Sequence, residues 1–332
     1  MHHLTYLQAV VIGLVQGVTE LFPVSSLGHN VLIPDLIGPS WVHNMDVSKP
    51  ESPYLAIVVG LHVATAIGIT AYFWRDWVRI IGGFFTSLRP DFRRPVEIRT
   101  ADQKLAWMII VATIPVGVTG LLFEHEFRVF FGVPSRAAIF LVVNGVILFL
   151  GEKFRPTKSR EADELVAHDR ELAVVGGGPR PAAHAAGQRA VRQQEMAEAI
   201  RADQRLSSAS FWQALIIGSA QILALLAGIS RDGVTMVAGM FRGLPRIDAA
   251  RFAFLLATPV ILAAGVLKIG DLTGPLAHGI RPQIVVASVV AGVAAYLSVR
   301  FLMKYFQTRT LTPFAIYCVV FGLGSLIYLG VR

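Results

Sequence analysis

Residues 16–29 read QGVTELFPVSSLGH and place a carboxylate, two adjacent hydroxyls, a histidine and an amide inside an apolar run. Polar and ionisable groups at membrane depth are costly, so such a cluster indicates a functional site. A second stretch, QILALLAGISRDGVT at residues 221–235, carries a similar pattern in the other half of the chain. The interpretation of the rest of the sequence depends on these two stretches.

The composition indicates a membrane protein. The 332 residues are 54% hydrophobic and 16% charged, whereas soluble domains carry about 25% charged residues. A net charge of +8 would also suit nucleic acid, but the basic residues cluster in loops between apolar segments, which favours membrane topology instead. Cys318 is the single cysteine, which excludes an internal disulfide and a cysteine-based metal site.

Six apolar segments are long enough to cross a bilayer core about 30 Å thick, at a helical rise of about 1.5 Å per residue. They are Tyr54–Trp74, Leu105–Phe123, Arg136–Leu150, Ala249–Ile269, Gln283–Met303 and Leu311–Leu329. Two further stretches, 4–37 and 211–244, are interrupted by PVSS and AGISR. Broken backbone at membrane depth must be buried in protein or line a wet cavity. Each stretch is therefore predicted to be a re-entrant helix–loop–helix hairpin, with one kinked span as the alternative.

The two broken stretches align as an internal repeat. When Gln16 is placed on Gln221, Ser25 falls on Ser230 and Ser26 on Arg231. Three spans follow each copy, and because three is odd, the second copy enters the membrane in the opposite orientation. The sequence thus predicts an inverted-topology repeat, which places a site between the halves near the membrane midplane.

The predicted fold is an all-α polytopic membrane protein of six transmembrane helices and two re-entrant hairpins. Residues 1–152 form the first repeat with its hairpin at 4–37, and residues 209–332 form the second with its hairpin at 211–244. Between them, 153–208 is predicted to be a flexible cytoplasmic insertion, with GGGP at 176–179 and some helix at Arg189–Arg205.

Basic residues set the predicted orientation. Seven lie between the first and second spans, from Arg75 to Lys104. The opposite side carries only Lys49, Arg128, Arg136, Arg281 and Arg332. The positive-inside rule puts the first side in the cytoplasm. Both termini are then expected outside, with the site facing the outer side.

The residue types at the two breaks suit phosphate chemistry. Glu20 lies four residues after Gln16, on the same face of the first half-helix. Ser26 and His29 begin the next half-helix, and helix N-termini bind anions. Arg231 takes the equivalent place in the second copy, and arginine suits forked contact with phosphate oxygens. A hydroxyl, a base and a carboxylate indicate phosphoryl transfer. The candidate phosphate-binding positions are Ser25, Gly28, Ser230, Gly233 and Thr235.

Two motifs carry a family resemblance. QGVTE followed by PVSSLGH, and later GISRDGVT at 228–235, closely resemble the undecaprenyl-diphosphate phosphatase family linked to bacitracin resistance. ATIPVG at 112–117 and FLLATP at 254–259 support the resemblance. It covers nearly the whole chain except the 153–208 insertion.

The resemblance implies hydrolysis of the C55 isoprenoid diphosphate to its monophosphate at the outer face of the bacterial plasma membrane, which recycles the lipid carrier for peptidoglycan and confers bacitracin resistance. It implies a divalent cation, Mg²⁺ or Ca²⁺, at Glu20 and Gln16. Ser26 and His29 match the family's nucleophile and base, and Arg231 its phosphate-binding arginine. The residues leave open which of Ser26 and His29 attacks phosphorus. Ser26 is favoured, because a seryl hydroxyl needs a base such as His29.

The expected partners are a polyprenyl diphosphate, the bilayer and a second copy of the chain in a homodimer; no nucleic acid is expected. A lipid flippase using the same phosphate site is the alternative, since broken helices in inverted repeats are typical of transporters. A flippase has no need of a nucleophile and base. Other polar residues in the spans are interpreted as packing or helix-end groups: His62, Asn144, Arg251 and Lys268.

The chain departs from the family pattern in three places. Ala227 replaces the usual proline before Gly228, so the second break is expected to be less rigid. Asp232 replaces the usual serine after Arg231, where it would pair with that arginine or help to bind a cation. The long insertion is the third departure.

Overall fold

Helices make up nearly all of the residues that the structure describes. The computed structural model describes residues 4–38, 41, 53–88, 98–131, 133–175, 199–267 and 279–331, and these contain no β-strand. In chain order the helices are α1 (Tyr6–Thr19), α2 (Ser26–Ile37), α3 (Pro53–Tyr72), α4 (Trp74–Ser87), α5 (Ala101–Phe131), α6 (Pro134–Lys153), α7 (Thr157–Val175), α8 (Ala199–Ser208), α9 (Phe211–Ser219), α10 (Arg231–Phe241), α11 (Arg246–Leu267), α12 (Arg281–Tyr305) and α13 (Thr312–Val331). A 3₁₀ turn, Ala220–Leu225, follows α9.

Each of the six predicted spans falls on a helix: α3, α5, α6, α11, α12 and α13. Among the described residues, five of these helices are long and apolar enough to cross a membrane. The described side chains of α3 form a shorter apolar segment, Gly60–Tyr72. A sixth candidate is the bent pair formed by α8 and the segment Phe211–Leu225, whose axes differ by 98°.

Both polar stretches break where the sequence predicts. The first break lies between α1 and α2, where Pro23 lacks the N–H that a continuing helix would need. The second lies between the 3₁₀ turn and α10, where Gly228 takes φ +111°, a conformation that favours glycine. Each interrupted stretch is therefore a pair of short helices joined by a tight non-helical turn.

The two stretches also begin alike. A capping box starts α1, in which Thr5 and Gln8 satisfy each other's backbone N–H groups. Ser210 and Gln213 form the same box at the start of α9. When Gln16 is placed on Gln221, Thr5 aligns with Ser210 and Gln8 with Gln213. The similarity therefore extends to the start of each stretch.

Small residues bring the broken stretches against long helices. Helix α1 lies along α12 so closely that a Cβ on Gly17 would come 2.4 Å from the carbonyl oxygen of Ala291. Helix α9 approaches α5 in the same way, with Gly218 facing the backbone of Ala112. Close approach through small residues is the usual basis of helix association in membranes. Helix α12 also packs along α3, and α6 along α13.

The region after the first span is not simply a basic loop. Residues 74–87 form helix α4, and residues 89–97, which carry three of the basic side chains, lie outside the described residues. One face of α4 exposes large apolar side chains, whereas Asp76, Ile80 and Gly83 are buried on the other. The exposed side chains are Trp74, Val78, Ile81 and Phe85.

The start of the insertion is helical and anchored. Arg246, at the beginning of α11, binds Glu152 at 2.6 Å and Asp163 at 3.2 Å. The hydroxyl of Ser159 donates to the carbonyl of Leu244 at 2.6 Å. Helix α7 is therefore tied to the turn that joins α10 to α11.

The end of the insertion is anchored to the same region. Asp203 on α8 pairs with Arg251 and with Arg79, each at 2.7 Å. Arg205 binds Asp248 through two bonds of 2.6 and 2.9 Å. The predicted helix-end role of Arg251 fits these contacts. Of the helix predicted at 189–205, residues 199–205 are helical, while 189–198, the GGGP sequence at 176–179 and Lys268 lie outside the described residues.

Candidate active site

The two breaks are in direct contact. The hydroxyl of Ser25 accepts the N–H of Gly28, which caps α2, and also the N–H of Gly228 in the other break, both at 3.2 Å. A Cβ on Gly28 would lie 3.0 Å from the Cα of Gly228. Ser25 itself has φ +69°, which is rare for a residue other than glycine. The backbone at the first break is thus held in a strained conformation that presents the serine to both halves.

Glu20 is at the centre of the cluster. Its Oε2 accepts hydrogen bonds from Gln16 at 2.9 Å and from the Ser26 hydroxyl at 2.5 Å. Its Oε1 accepts from Arg231 at 2.8 Å, across the two halves of the chain. The Nε2 atom of His62 lies 3.5 Å from Oε2. The side chain of Glu20 is 6% exposed, so the ion pair with Arg231 is buried.

His29 faces away from Ser26 and towards the last helix. Its Nδ1 lies 2.7 Å from the carbonyl oxygen of Ser25, and its Nε2 lies 2.8 Å from the hydroxyl of Tyr317. A carbonyl can only accept, so Nδ1 carries the proton; when the ring is neutral, Nε2 accepts the tyrosine O–H. The ring also stacks on Phe321, with centroids 5.1 Å apart. The hydroxyl partner of Ser26 is therefore Glu20, and not the histidine expected from the sequence.

The hydroxyls of the second motif serve α10. Ser230 caps this helix by accepting the N–H of Gly233 at 3.1 Å, as Ser25 caps α2. Thr235 donates to the carbonyl of Arg231 at 2.7 Å. Both hydroxyls are buried beside the arginine, so they shape the turn that presents it.

Two buried polar side chains in this half have no hydrogen-bond partner among the described residues. Both carboxylate oxygens of Asp232 and both amide atoms of Gln221 are in this state. Asp232 does lie near Arg231, with Oδ1 3.6 Å from Nε, which fits the pairing expected from the sequence. Unpaired buried polar atoms are costly.

The donor set fits a divalent cation only in part. Both oxygens of Glu20 already accept hydrogen bonds, and the side-chain oxygen of Gln16 accepts one from Asn30 at 2.6 Å. No group of three or more His, Cys, Asp or Glu side chains that could hold a metal occurs in the described ranges. Mg²⁺, however, is commonly held by one or two carboxylates, waters and substrate phosphates. Glu20 could take part in such a shared site once Arg231 has left its oxygen.

The sequence interpretation missed three polar residues at this site. His62, interpreted as a packing group, faces Glu20. Asn144, interpreted in the same way, lies between the two breaks. Tyr317 was not singled out, and nothing in a single sequence distinguishes it from other tyrosines in apolar helices. For His62 the available signal was an ionisable side chain inside an apolar segment.

Comparison with known proteins places the chain in a family. The family model described as bacitracin resistance protein BacA matches residues 9–178 and 182–324. The chain belongs to the BacA family. Its apolar helices accordingly make it a multi-pass membrane protein.

BacA relatives match over almost their whole length. The chain is 54% identical to an undecaprenyl-diphosphatase of Mycolicibacterium paratuberculosis over 330 residues, 99% of each chain. It is 52% identical to undecaprenyl-diphosphatase 2 of Frankia alni, with 97% of each chain covered. It is 37% identical to undecaprenyl-diphosphatase 2 of Burkholderia orbicola, over 96% of this chain and 94% of the relative.

The BacA match also corrects the extent of the resemblance. It includes nearly all of residues 153–208, which the sequence analysis had left outside. Two relatives match over 99% of their own length and 99% of this chain, so the match to them includes this segment.

Proposed function

We propose that this BacA-family chain hydrolyses undecaprenyl diphosphate to undecaprenyl phosphate and phosphate, recycling the lipid carrier for peptidoglycan synthesis and conferring bacitracin resistance. The relatives named undecaprenyl-diphosphatase support the substrate. The observation that carries the proposal is the position of Glu20, which binds a serine hydroxyl on one oxygen and an arginine on the other. A lipid-binding protein without catalysis would have no use for a carboxylate against a hydroxyl.

In the proposed reaction, Ser26 Oγ attacks the terminal phosphorus while its proton passes to Glu20. The bond from phosphorus to the bridging oxygen breaks, and lipid monophosphate leaves. Water then attacks the phosphoserine and the bond from phosphorus to Ser26 Oγ breaks. Glu20 returns its proton to Oγ, and phosphate leaves with both protons of the water. The 2.5 Å hydrogen bond supports Glu20 as the first proton acceptor.

Arg231 would change partners during this cycle. Before substrate binds, it neutralises Glu20. A diphosphate offers more negative charge and a forked set of oxygens, which arginine binds in bidentate fashion. Once Arg231 turns to the phosphate, Glu20 is left as a carboxylate that can accept a proton. Substrate binding and activation of the base would in this way be one event.

His29 remains a candidate base, provided that its ring leaves Tyr317. The Tyr317→Phe variant tests this possibility, because it removes the O–H that occupies Nε2. If His29 is the base, hydrolysis should rise in this variant, because Nε2 is freed, and be lost in His29→Ala. If Glu20 is the base, Glu20→Gln should lose hydrolysis and Tyr317→Phe should leave it close to wild type.

A divalent cation, Mg²⁺ or Ca²⁺, is proposed to bind with the substrate. Glu20 would hold it together with phosphate oxygens, and Gln16 would keep the carboxylate in place through its amide. When bound, the cation would neutralise charge on the diphosphate. The phosphate groups would also contact the two helix N-termini. These are shaped by Ser25, Gly28, Ser230, Gly233 and Thr235.

The inverted repeat, with two re-entrant hairpins, is proposed as the architecture. It is supported by the capping boxes in equal register and by reciprocal packing, since α1 of the first half lies on α12 of the second and α9 lies on α5. Both termini would lie outside the plasma membrane and the site would open to the outer side. A homodimer stays a prediction.

Phosphate release from a polyprenyl diphosphate by the purified protein tests the activity. Ser26→Ala should reduce the rate about 10³-fold or more, while the control Ser208→Ala, at an exposed hydroxyl far along the chain, should match wild type. Equal rates in both variants would contradict the catalytic assignment. A flippase, by contrast, would keep moving polyprenyl phosphate across vesicles in Ser26→Ala.

A further inference from the structure

Asn144 lies outside both breaks and hydrogen-bonds to the backbone of each. It lies in the middle of α6 and is fully buried. Its Nδ2 donates to the carbonyl of Pro23 at 3.0 Å, and its Oδ1 accepts the N–H of Ser230 at 3.0 Å. The remaining contact of the amide is with the sulfur of Cys318, 3.3 Å from Nδ2.

These two backbone groups need such a partner. The Pro23 carbonyl and the Ser230 N–H both lie at interruptions, where no helix supplies the opposite group. In a water-poor environment an unpaired backbone group is costly. The side-chain amide of Asn144 carries a donor and an acceptor on the same carbon. It therefore satisfies both backbone groups, across the boundary between the halves.

The contacts lie close to the reactive side chains in sequence. Pro23 precedes Ser26 by three residues, and Ser230 directly precedes Arg231. Helix α6 also confines the second break sterically, since a Cβ on Gly228 would come 2.4 Å from the carbonyl of Ala137. Helix α6 therefore acts as a common support for both turns.

We infer that Asn144 is a positioning residue that fixes the two breaks relative to each other, so that Ser26 and Arg231 meet on one Glu20 carboxylate. The inference rests on the proposed phosphatase function and adds to it the residue that sets the geometry. The competing explanation is that Asn144 is one of the many polar groups that merely help membrane helices to pack.

Two measurements on Asn144→Leu, a change of similar volume, separate these explanations. The first is the rate of phosphate release from a polyprenyl diphosphate. A misplacement of about 1 Å costs about 100-fold in rate, so kcat should fall by about that factor while KM changes little. The second is hydrogen–deuterium exchange at the amides of residues 228–231, which should become faster once Ser230 loses its acceptor.

The matched control is Cys318→Ala, which removes the sulfur contacts with Asn144 at 3.3 Å and with the Pro23 carbonyl at 3.9 Å but leaves both backbone contacts of Asn144 in place. It should keep wild-type kcat and wild-type exchange. If Asn144→Leu does not fold, Asn144→Asp keeps the size and the acceptor for Ser230 while losing the amide donor. Hydrogen–deuterium exchange in Asn144→Asp should then be faster at the amides of residues 24–26 than at those of residues 228–231.

Exchange that is unchanged in both Asn144 variants, or equally faster in Cys318→Ala, would overturn the inference. So would a kcat within threefold of wild type in a folded Asn144→Leu protein. Because the exchange experiment needs no substrate, it also separates this inference from the proposed function. A wild-type protein that releases no phosphate would contradict the activity and leave the exchange result to decide the role of Asn144.

Discussion

The two breaks are built alike and charged oppositely. In each, a serine caps the following helix by accepting the N–H three residues on: Ser25 that of Gly28, and Ser230 that of Gly233. The first break offers Glu20 and Ser26 to the site, and the second offers Arg231. The difference suggests that one backbone arrangement, used twice, carries two complementary chemical parts. The comparison can be tested by changes that affect one break more than the other.

The largest effect should come from separating the ion pair that joins the halves. Glu20→Gln or Arg231→Gln alone leaves a buried charge without its partner, which costs about 3–5 kcal/mol in the free energy of unfolding. The double variant removes both charges and should lose less than the sum of the two. Denaturation in detergent measures all three proteins. Losses that simply add would mean that the two side chains are not coupled.

The second break should be less tolerant of a side chain at its turn. Gly228→Ala forces a Cβ into a backbone conformation with φ +111° and against the α6 backbone. About 3 kcal/mol or more of stability should be lost. Gly324→Ala is the matched control, because nothing lies within 4 Å of a Cβ at that helical position. A similar melting temperature for both variants would show that the turn at Gly228 is not tightly confined.

The two capping serines should differ in importance. Ser25→Ala removes a helix cap and also the acceptor of the Gly228 N–H, whereas Ser230→Ala removes only a cap. We expect a loss of about 2 kcal/mol for Ser25→Ala and about 1 kcal/mol for Ser230→Ala. Thermal unfolding of the two variants measures this order. The reverse order would contradict the cross-break role of Ser25.

The smallest effect should come from placing serine at position 232, as the family resemblance of the motif implies. The carboxylate of Asp232 is buried, and neither oxygen has a hydrogen-bond partner among the described residues. Asp232→Ser removes that group and should raise stability by about 1 kcal/mol. A loss of stability would show instead that the contact with Arg231 at 3.6 Å outweighs the cost of burial. Asp248→Ser, at the two-bond pair with Arg205, should lower stability and serves as the contrast.

The sequence was sufficient for the six long apolar helices and for the positions of the breaks, because long apolar runs, Pro23 and Gly228 act locally. It also pointed to Ser26 and Arg231 as neighbours, since the repeat aligns their positions, and to Glu20 at the same break as Ser26. It could not choose the partner of Ser26. That choice depends on side-chain directions within a few ångströms. In the structure the Ser26 hydroxyl donates to Glu20, while the Tyr317 hydroxyl is hydrogen-bonded to Nε2 of His29.

Other features depend on contacts between distant parts of the chain. Asn144 is 121 residues from Pro23 and 86 from Ser230, so no local pattern marks it. The sequence predicts a basic loop where α4 lies. Its arginines are typical of such a loop, and its apolar side chains form only one face of the helix. The ion partners of the two ends of the insertion lie on α4 and α11, and composition alone does not indicate them.

The anchoring of the insertion has a practical consequence. Helices α7 and α8 hold its two ends by separate sets of ion pairs near the start of α11. A fluorescent protein or affinity module inserted between Val175 and Ala199 would thus be joined to the protein through two anchored helices, α7 and α8. Strain from such a fusion would act first on these ion pairs, whose carboxylates are largely buried. The chain offers a built-in location for a reporter that leaves both termini free.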